Sequence, residues 1–205
     1  MQERKISEPA AAHPDPSAIG LFGLAMVTLE AASQKLGITQ GYALVLPWAI
    51  FLGSFAQLIA GFYDFKKGNV FGATAFLGFG LFWLGMAFTW SASDGVFGEA
   101  FINADMNQLG LAFLGYLIFS LYMTVGAMGT NKVLFAIFVL IDVLFLCLML
   151  STFGVAPAVT GFAAGIAELG ISALSFYASA ANVLSNHFGR TLLPVGKPFG
   201  IAKAA

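Results

Sequence analysis

The sequence predicts an all-α integral membrane protein with six transmembrane helices. Composition gives the class: hydrophobic residues make up 59% of the 205 residues and charged residues only 9%. A soluble domain carries about 25% charged residues, so this chain has too little polar surface to dissolve as a globule of its size. The spacing of its apolar runs gives the number of helices, because a membrane span needs about 20 mostly apolar residues.

Residues 57–83 form the most informative stretch, in which two apolar runs flank a short basic turn. Lys66 and Lys67 are followed there by Gly68 and Asn69, which are typical turn and helix-capping residues. Basic residues concentrate in cytoplasmic loops. The pattern therefore predicts a membrane hairpin with its turn in the cytoplasm.

Six apolar runs are long enough to cross a bilayer, and all but one of the connections between them are short. The runs cover roughly residues 19–37, 43–63, 70–92, 107–128, 132–154 and 157–186. The first 18 residues are polar and proline-rich, and no signal peptide is expected there. We therefore predict a cytoplasmic tail over 1–18, a transmembrane domain over 19–187 and a second cytoplasmic tail over 188–205.

The distribution of basic residues predicts the orientation. With six spans both ends lie on one side, and all Lys and Arg residues except Lys35 fall on that side. The positive-inside rule places both termini in the cytoplasm, which we interpret as the inner side of a plasma membrane. Five or seven spans would scramble this bias, so the bias also supports the helix count.

Several classes of protein are disfavoured by what the chain lacks. A net charge of −1 provides no basic patch for nucleic acid. Cys147 is the only cysteine, so neither an intrachain disulfide nor a cysteine-cluster metal site is possible. His13 and His187 flank the apolar region without metal-ligand partners. No nucleophile–base pair or nucleotide loop is found, so we expect neither an enzyme nor a cofactor, and ATP-driven activity is unsupported.

Three acids lie well inside the apolar runs, where an ionisable group is costly. Glu30, Asp142 and Glu168 each lie about 10–11 residues from one end of a run, or about 15–16 Å, which is close to the midplane of a ~30 Å core. Three carboxyls at one depth could form a proton relay. Alternatively, each is protonated, or hydrogen-bonded to a neighbouring helix or protomer.

Neutral polar residues form a second group of candidates, since amides and hydroxyls can hydrogen-bond an anionic solute without the strong hold of Lys or Arg. No basic residue lies deep in any run. Hydrogen bonding between helices is the rival role for these side chains. The solute-binding candidates of this kind are Gln57, Asn69, Thr74, Thr124 and Asn131.

The junction of the tail with the first span, residues 15–21, is the third candidate. Asp15 is a plausible N-cap, and Pro16 suits a helix start. Free N–H groups and the positive end of the helix dipole would attract an anion, with Gly20 and Leu21 on the first turns. A helix cap without a solute role explains the same residues.

Small residues and phenylalanines recur through the spans. The chain has 24 Gly and 22 Phe. Small-residue pairs allow helices to approach closely, as in Gly20–Gly23, Gly161–Gly165 and Ala56–Ala60. Most phenylalanines fill space or face lipid, whereas a few can form an apolar constriction that closes a pore.

Three motifs with defined spacing point to one family. The hairpin has Ala56-Gln57, Ala60-Gly61, Asp64-Phe65, Gly68-Asn69, Phe71-Gly72, Thr74-Ala75-Phe76, Gly80 and Phe82-Trp83. The chain closes on Phe188-Gly189-Arg190-Thr191, Leu193-Pro194 and Gly196, and it enters the first span through Asp15-Pro16-Ser17-Ala18-Ile19-Gly20-Leu21. In all three the chain resembles the acetate uptake transporters, also called succinate–acetate permeases, and the similarity covers about residues 13–197.

The chain departs from that family's pattern at a few positions. Asp15 replaces an Asn, and Asn182 replaces a Glu that is common near the end of the last helix. The remaining departures are Ala18 for Pro, Asp64 for Glu, and Gly78-Phe79 for a Ser-Tyr pair. These changes bear on solute preference more than on the class of activity.

The resemblance implies six spans per protomer, a solute path within each protomer and a homo-oligomer, most simply a hexamer. It implies movement of acetate, and of succinate or other short carboxylates, by proton symport or as an anion channel. It also implies a central apolar constriction, whose positions here are Leu24, Phe79 and Ile141. A channel for small neutral solutes and a membrane scaffold without transport are the alternatives.

Overall fold

Six long helices form the protein. The computed structural model describes residues 15–200, so the predicted tail up to residue 14, with His13, lies outside the described residues. Over the described range the chain is helical without any strand, and six helices are long and apolar enough to cross a membrane, which confirms the predicted class and helix number. They are α1 (Ser17–Lys35), α2 (Leu46–Lys66), α3 (Val70–Ser93), α4 (Asn107–Ala127), α5 (Lys132–Thr152) and α6 (Pro157–Phe188).

The basic turn between α2 and α3 has the predicted geometry. Gly68 has φ 73°, a left-handed conformation that glycine adopts without strain. The Asn69 side chain caps α3 by accepting a hydrogen bond from the Gly72 N–H at 3.1 Å. Asn131 caps α5 in the same way, with its Oδ1 2.9 Å from the Leu134 nitrogen. In the loop between α3 and α4, Glu99–Ile102 forms one short helical turn.

Helix α2 contains a π-helical segment, Ala49–Ala56. The wider π-helical turn shifts backbone carbonyls out of their α-helical positions. The Leu52 carbonyl lies so close to Gly23 of α1 that a Cβ on Gly23 would collide with it, and the Ala56 methyl lies beside the same spot. The close approach predicted from the small residues of α1 and α2 is confirmed at this crossing.

The helices follow one another around a central interior. α1 packs most extensively against α6 and also against α2, α5 lies between α6 and α4, and α3 packs on α2 with only slight contact to α4. Two serines fix the antiparallel register of α6 on α1. Ser172 Oγ donates to the Ala25 carbonyl at 2.8 Å, and Ser179 Oγ donates to the Ala18 carbonyl at 2.7 Å.

The outer surface is apolar. Large hydrophobic side chains on several helices are more than half exposed, including Phe51, Phe62, Leu81, Leu111, Ile118 and Phe162. An exposed apolar surface of this extent needs a non-aqueous environment. The structure therefore describes a membrane protein whose exterior contacts lipid or other protomers.

The segment after α6 folds back on the helix ends. The Val133 N–H donates to the Val195 carbonyl at 3.1 Å, and the Phe199 N–H donates to the Met128 carbonyl at 3.0 Å. The Tyr177 hydroxyl of α6 donates to the Pro194 carbonyl at 2.8 Å. The described part of the predicted tail 188–205 is thus packed against the protein beside the α4–α5 turn.

Candidate functional site

A central cavity of about 220 Å³ lies among α1, α2, α3 and α5. Most of its wall is apolar, because α3 and α5 turn phenylalanine and aliphatic side chains inward. Gln57 and Asn69 supply polar groups. Gln57 is fully buried, and its Nε2 donates to the Gly53 carbonyl at 2.7 Å. The wall also includes Ser17, Leu21, Leu24, Phe71, Phe76, Phe79, Thr130, Leu134, Ile137, Phe138 and Ile141.

Leu24, Phe79 and Ile141, which we call the constriction, close one end of the central cavity. All three are nearly buried, and all three also line a gap of about 10 Å³ immediately beyond. Phe79 is held by stacking with Phe145 and by a tilted ring contact with Phe138, at centroid distances of 6.3 and 5.9 Å. A cavity needs about 10–15 Å³ to hold one water molecule, so the passage is closed to solutes in this conformation.

A second cavity of about 310 Å³, the polar vestibule, adjoins the central cavity and shares Ser17, Leu21 and Leu134 with it. Asp15 lies in its wall, where Oδ1 accepts from the Ser17 N–H at 3.0 Å. Pro16, and not Asp15, is the N-cap of α1. The prediction that Asp15 is the N-cap is therefore wrong by one residue. Asp15 nevertheless accepts a hydrogen bond from a backbone N–H at the start of the helix, that of Ser17.

Asp15 is an anion at neutral pH. Its partial burial would raise the pKa of the carboxyl, but hydrogen bonds from Ser17 and Asn182 and the charge of Lys67 outweigh burial and lower the pKa below its usual value. The Lys67 ammonium lies 3.9 Å from Oδ1. The polar vestibule thus carries a fixed negative charge partly balanced by a lysine.

Two of the positions at which the chain departs from the family pattern lie against one another. Asn182 Nδ2 donates to Asp15 Oδ2 at 2.6 Å, so the residues that replace an Asn and a Glu face one another. These positions are 167 residues apart in the sequence, so their contact is visible only in the structure.

A third cavity of about 260 Å³, the charged vestibule, lies beyond the constriction and shares Phe82 and Trp83 with the gap there. Lys35 Nζ lies 3.2 Å from Glu168 Oε1 and 3.0 Å from Oε2. Glu168 is 2% exposed and the Lys35 side chain 14%. In the sequence Lys35 is notable only as the one basic residue predicted on the side opposite the termini, and the structure turns its ammonium inward onto a buried acid.

The three buried acids do not share one site. Asp142 of α5 accepts hydrogen bonds from Ser120 and from Thr124 Oγ1 of α4, the latter at 2.7 Å, so Thr124 and Asp142 join two helices. Glu30 is partly exposed on α1 and is not among the residues that line the three cavities. Among residues 15–200 no hydrogen bond joins any two of these acids, so the geometry gives a three-acid relay no support.

The remaining sequence candidates are divided between the cavity walls and the helix contacts. Asn131 lines the polar vestibule as well as capping α5. Thr74 is half-buried on α3 away from the three cavities, and Gly20 packs against the Phe76 ring. Over residues 15–200 no three His, Cys, Asp or Glu side chains come close enough together to hold a metal ion.

Comparison with known proteins places the chain in a family. The model of the GPR1/FUN34/yaaH family matches residues 2–196. The chain belongs to this family. The resemblance inferred from the hairpin, entry and closing motifs is therefore confirmed.

Individual relatives agree with this assignment. The chain is 33% identical over 184 residues to the succinate-acetate/proton symporter SatP of Escherichia coli K12, covering 89% of this chain and 95% of SatP. It is 30% identical to the ammonia transport outward protein 2 of Saccharomyces cerevisiae, over 85% of this chain and 64% of that one. A solved structure described as the bacterial acetate channel SatP superimposes with TM-score 0.83 at 32% identity, covering 90% of this chain and 99% of the other.

Proposed function

We propose that this protein moves acetate and related short carboxylates such as succinate across the membrane, by proton symport or as an anion channel. The observation that carries the proposal is the alignment of three cavities through one protomer, interrupted only by the constriction. Membership of the family and the names of the relatives, a succinate-acetate/proton symporter and an acetate channel, support the choice of solute.

The chemistry of the walls fits a small amphiphilic solute. Side-chain amides and hydroxyls of the polar vestibule can accept or donate hydrogen bonds to a carboxyl group, while the apolar central cavity suits a methyl or methylene group. The constriction has no polar side chain. A carboxylate would lose its hydration there without compensation, so passage requires either a transient opening that admits water or a neutral acid.

The further features of the proposal concern setting and assembly. The protein lies in the plasma membrane with both termini cytoplasmic, so that the polar vestibule faces the cytoplasm and the charged vestibule the outside. The path is complete within each protomer, and the protomers assemble as a homohexamer. The protein acts as a transporter, with no catalytic role and no cofactor.

The direct test uses purified protein in liposomes with labelled acetate under imposed pH and voltage gradients. Accumulation driven by the pH gradient alone would establish proton symport. Flux that follows only the electrochemical gradient of acetate would establish an anion channel. Flux no greater than in empty liposomes would overturn the proposal and leave the scaffold alternative.

The role of the constriction is tested by Phe79→Ala. Removing the ring opens a space between the central cavity and the gap beyond, and we expect the ratio of succinate to acetate uptake to rise severalfold. Phe71→Ala is the matched control, since Phe71 lines the central cavity away from the gap. An unchanged ratio of succinate to acetate uptake in Phe79→Ala would show that Phe79 does not limit the size of the solute that passes.

One observation supports a second candidate function, a channel for small neutral solutes. The anionic Asp15 lies at the entrance where a carboxylate would approach, and the constriction beyond offers no charge. A neutral solute avoids both obstacles. Liposome permeability to ammonia or urea that exceeds acetate flux would favour this alternative.

A further inference from the structure

The Lys35–Glu168 pair has a feature that the proposed function does not use: it faces an open cavity. The ammonium and the carboxylate both line the charged vestibule. That cavity extends to Ser93 and Asp94, which are exposed at the end of α3. A purely structural ion pair between α1 and α6 could be enclosed by apolar side chains, whereas this pair can be reached by a small solute from outside.

Glu168 depends on one partner. Over the described residues its carboxylate accepts from a single donor, the Lys35 ammonium, which lies within 3.2 Å of both oxygens. An ammonium has three N–H donors, so a carboxylate that displaces Glu168 from it finds N–H groups to bind. A buried carboxylate with one partner is held mainly by that charge, because burial otherwise disfavours the anion.

The surroundings contain few other ionisable groups. Around Glu168 the α1–α2 loop contributes Tyr42, and the end of α3 contributes Asp94. Tyr42 stacks on Trp90 at 4.7 Å, and its hydroxyl donates to Gln34 Oε1. Burial, with the negative charges of Glu168 and Asp94, raises the pKa of Tyr42. Its hydroxyl therefore stays protonated over the working pH range, and α4 and α5 add only apolar groups and Thr152 to this wall.

We infer that the Lys35 ammonium is a binding site for the carboxylate anion that the protein moves, and that Glu168 is a proton carrier which competes with this anion for the ammonium. The inference rests on the proposed transport of short carboxylates and names how a proton would be coupled to it. When Glu168 is ionised, its carboxylate binds the Lys35 ammonium in the place that the carboxylate of the solute would take.

The cycle balances one proton against one carboxylate. A proton from the outer solution adds to a Glu168 oxygen, an O–H bond forms, and the neutral acid releases one side of the ammonium to the incoming anion. The Glu168 O–H then passes its proton to the bound carboxylate, so that one O–H bond breaks and another forms. The solute leaves Lys35 as a neutral acid able to cross the apolar constriction, and the Glu168 carboxylate returns to the ammonium.

Two tryptophans provide a binding signal independent of transport. Trp83 and Trp90 line the same cavity as the ion pair, so acetate titration of the purified protein can be followed by their fluorescence. In the wild type we expect acetate to bind more tightly as pH falls. In Glu168→Gln the competing carboxylate is gone, and we expect binding at pH 7.5 to tighten by about tenfold and to lose its pH dependence, because the fraction of free ammonium sets the apparent affinity.

The controls separate binding from folding. Glu99→Gln makes the same chemical change at an exposed loop position and should titrate like the wild type. The double variant Lys35→Gln/Glu168→Gln keeps the two side chains able to hydrogen-bond without charge, and it should lose the acetate response at all pH values while remaining folded. Wild-type affinity and pH dependence in Glu168→Gln would overturn the inference.

Liposome assays distinguish this failure from failure of the proposed function. If the wild type moves acetate but Glu168→Gln binds acetate with wild-type affinity and pH dependence, the proposed transport is supported and the Lys35 binding site is refuted. If the wild type moves no acetate, the proposed function falls and this inference falls with it. In the expected case Glu168→Gln binds acetate but moves it much more slowly than the wild type, because the proton donor is gone, and the loss is read as reduced internal acidification reported by a trapped pH-sensitive dye.

Discussion

The polar and charged vestibules each have in their wall an acid that faces a lysine, but the two ion pairs differ in distance and exposure. In the polar vestibule Asp15 and Lys67 are 3.9 Å apart, with side chains 41% and 26% exposed. In the charged vestibule Glu168 and Lys35 are 3.0 Å apart, with side chains 2% and 14% exposed. Charges near water interact weakly and charges away from water strongly, so similar residues have different consequences at the two ends of the path.

Hydrogen bonding increases the contrast. Asp15 accepts from a backbone N–H and from Asn182 as well as facing Lys67, so its anionic form is fixed by several donors. Glu168 has only the lysine among the described residues. The charge of Asp15 is thus held by several donors, whereas the charge of Glu168 is held by one lysine.

The largest expected effect follows removal of the lysine in the charged vestibule. Lys35→Met leaves Glu168 buried without its partner, and breaking a buried pair in this way costs about 3–5 kcal/mol of stability. Lys67→Met in the polar vestibule should cost less than about 1 kcal/mol, because exposed pairs contribute little. Unfolding of both variants in the same detergent measures the difference. Equal losses of stability in the two variants would show that the two ion pairs do not differ in strength.

A smaller effect tests the contact between Asp15 and Asn182. Asn182→Glu alone places a second carboxylate against Asp15, and we expect a loss on the order of 1 kcal/mol from repulsion. Adding Asp15→Asn restores one acid and one amide in the reversed positions, and most of the loss should be recovered. Residues in contact show coupling energies of about 0.5–3 kcal/mol in such cycles. Strictly additive effects would show that the two positions do not interact.

The smallest expected effect concerns acid stability. Since the pKa of Asp15 is lowered in the folded protein, the stability it contributes is present above its unfolded pKa of about 3.9 and is lost as pH falls through the lower folded value. Asp15→Asn should therefore differ from the wild type near neutral pH and converge with it as pH falls through the lowered folded pKa of Asp15. Screening at this exposed site limits the difference to a few tenths of a kcal/mol. Melting temperatures measured from pH 3 to 7 would show whether the two curves converge.

Much of the fold could be predicted from the sequence because spans in a bilayer have a fixed length. Each predicted run coincides with an observed helix to within about three residues at its ends, and the caps at Asn69 and Asn131 follow from local chemistry. The π-helical segment of α2 was not predicted, and in the structure it lies at the close crossing with Gly23.

The candidate site was only partly predictable. Leu24, Phe79 and Ile141 were chosen by resemblance to a family, and the structure brings them together between the central cavity and the gap beyond it. Glu30, Asp142 and Glu168 were chosen by depth alone, and depth does not specify which way a side chain faces around a helix. Asp142 consequently lies with Ser120 and Thr124 at a helix contact, and only Glu168 lines a cavity.

By itself the sequence determined the class, the six helices and the family, because hydropathy, loop chemistry and motif spacing are local properties of the chain. Tertiary structure alone decided which charges meet. Lys35 and Glu168 are 133 positions apart, and Asp15 and Asn182 are 167 apart. Such pairs form only when α6 packs antiparallel on α1, since that packing brings distant residues to the same depth and sets which of them water can reach.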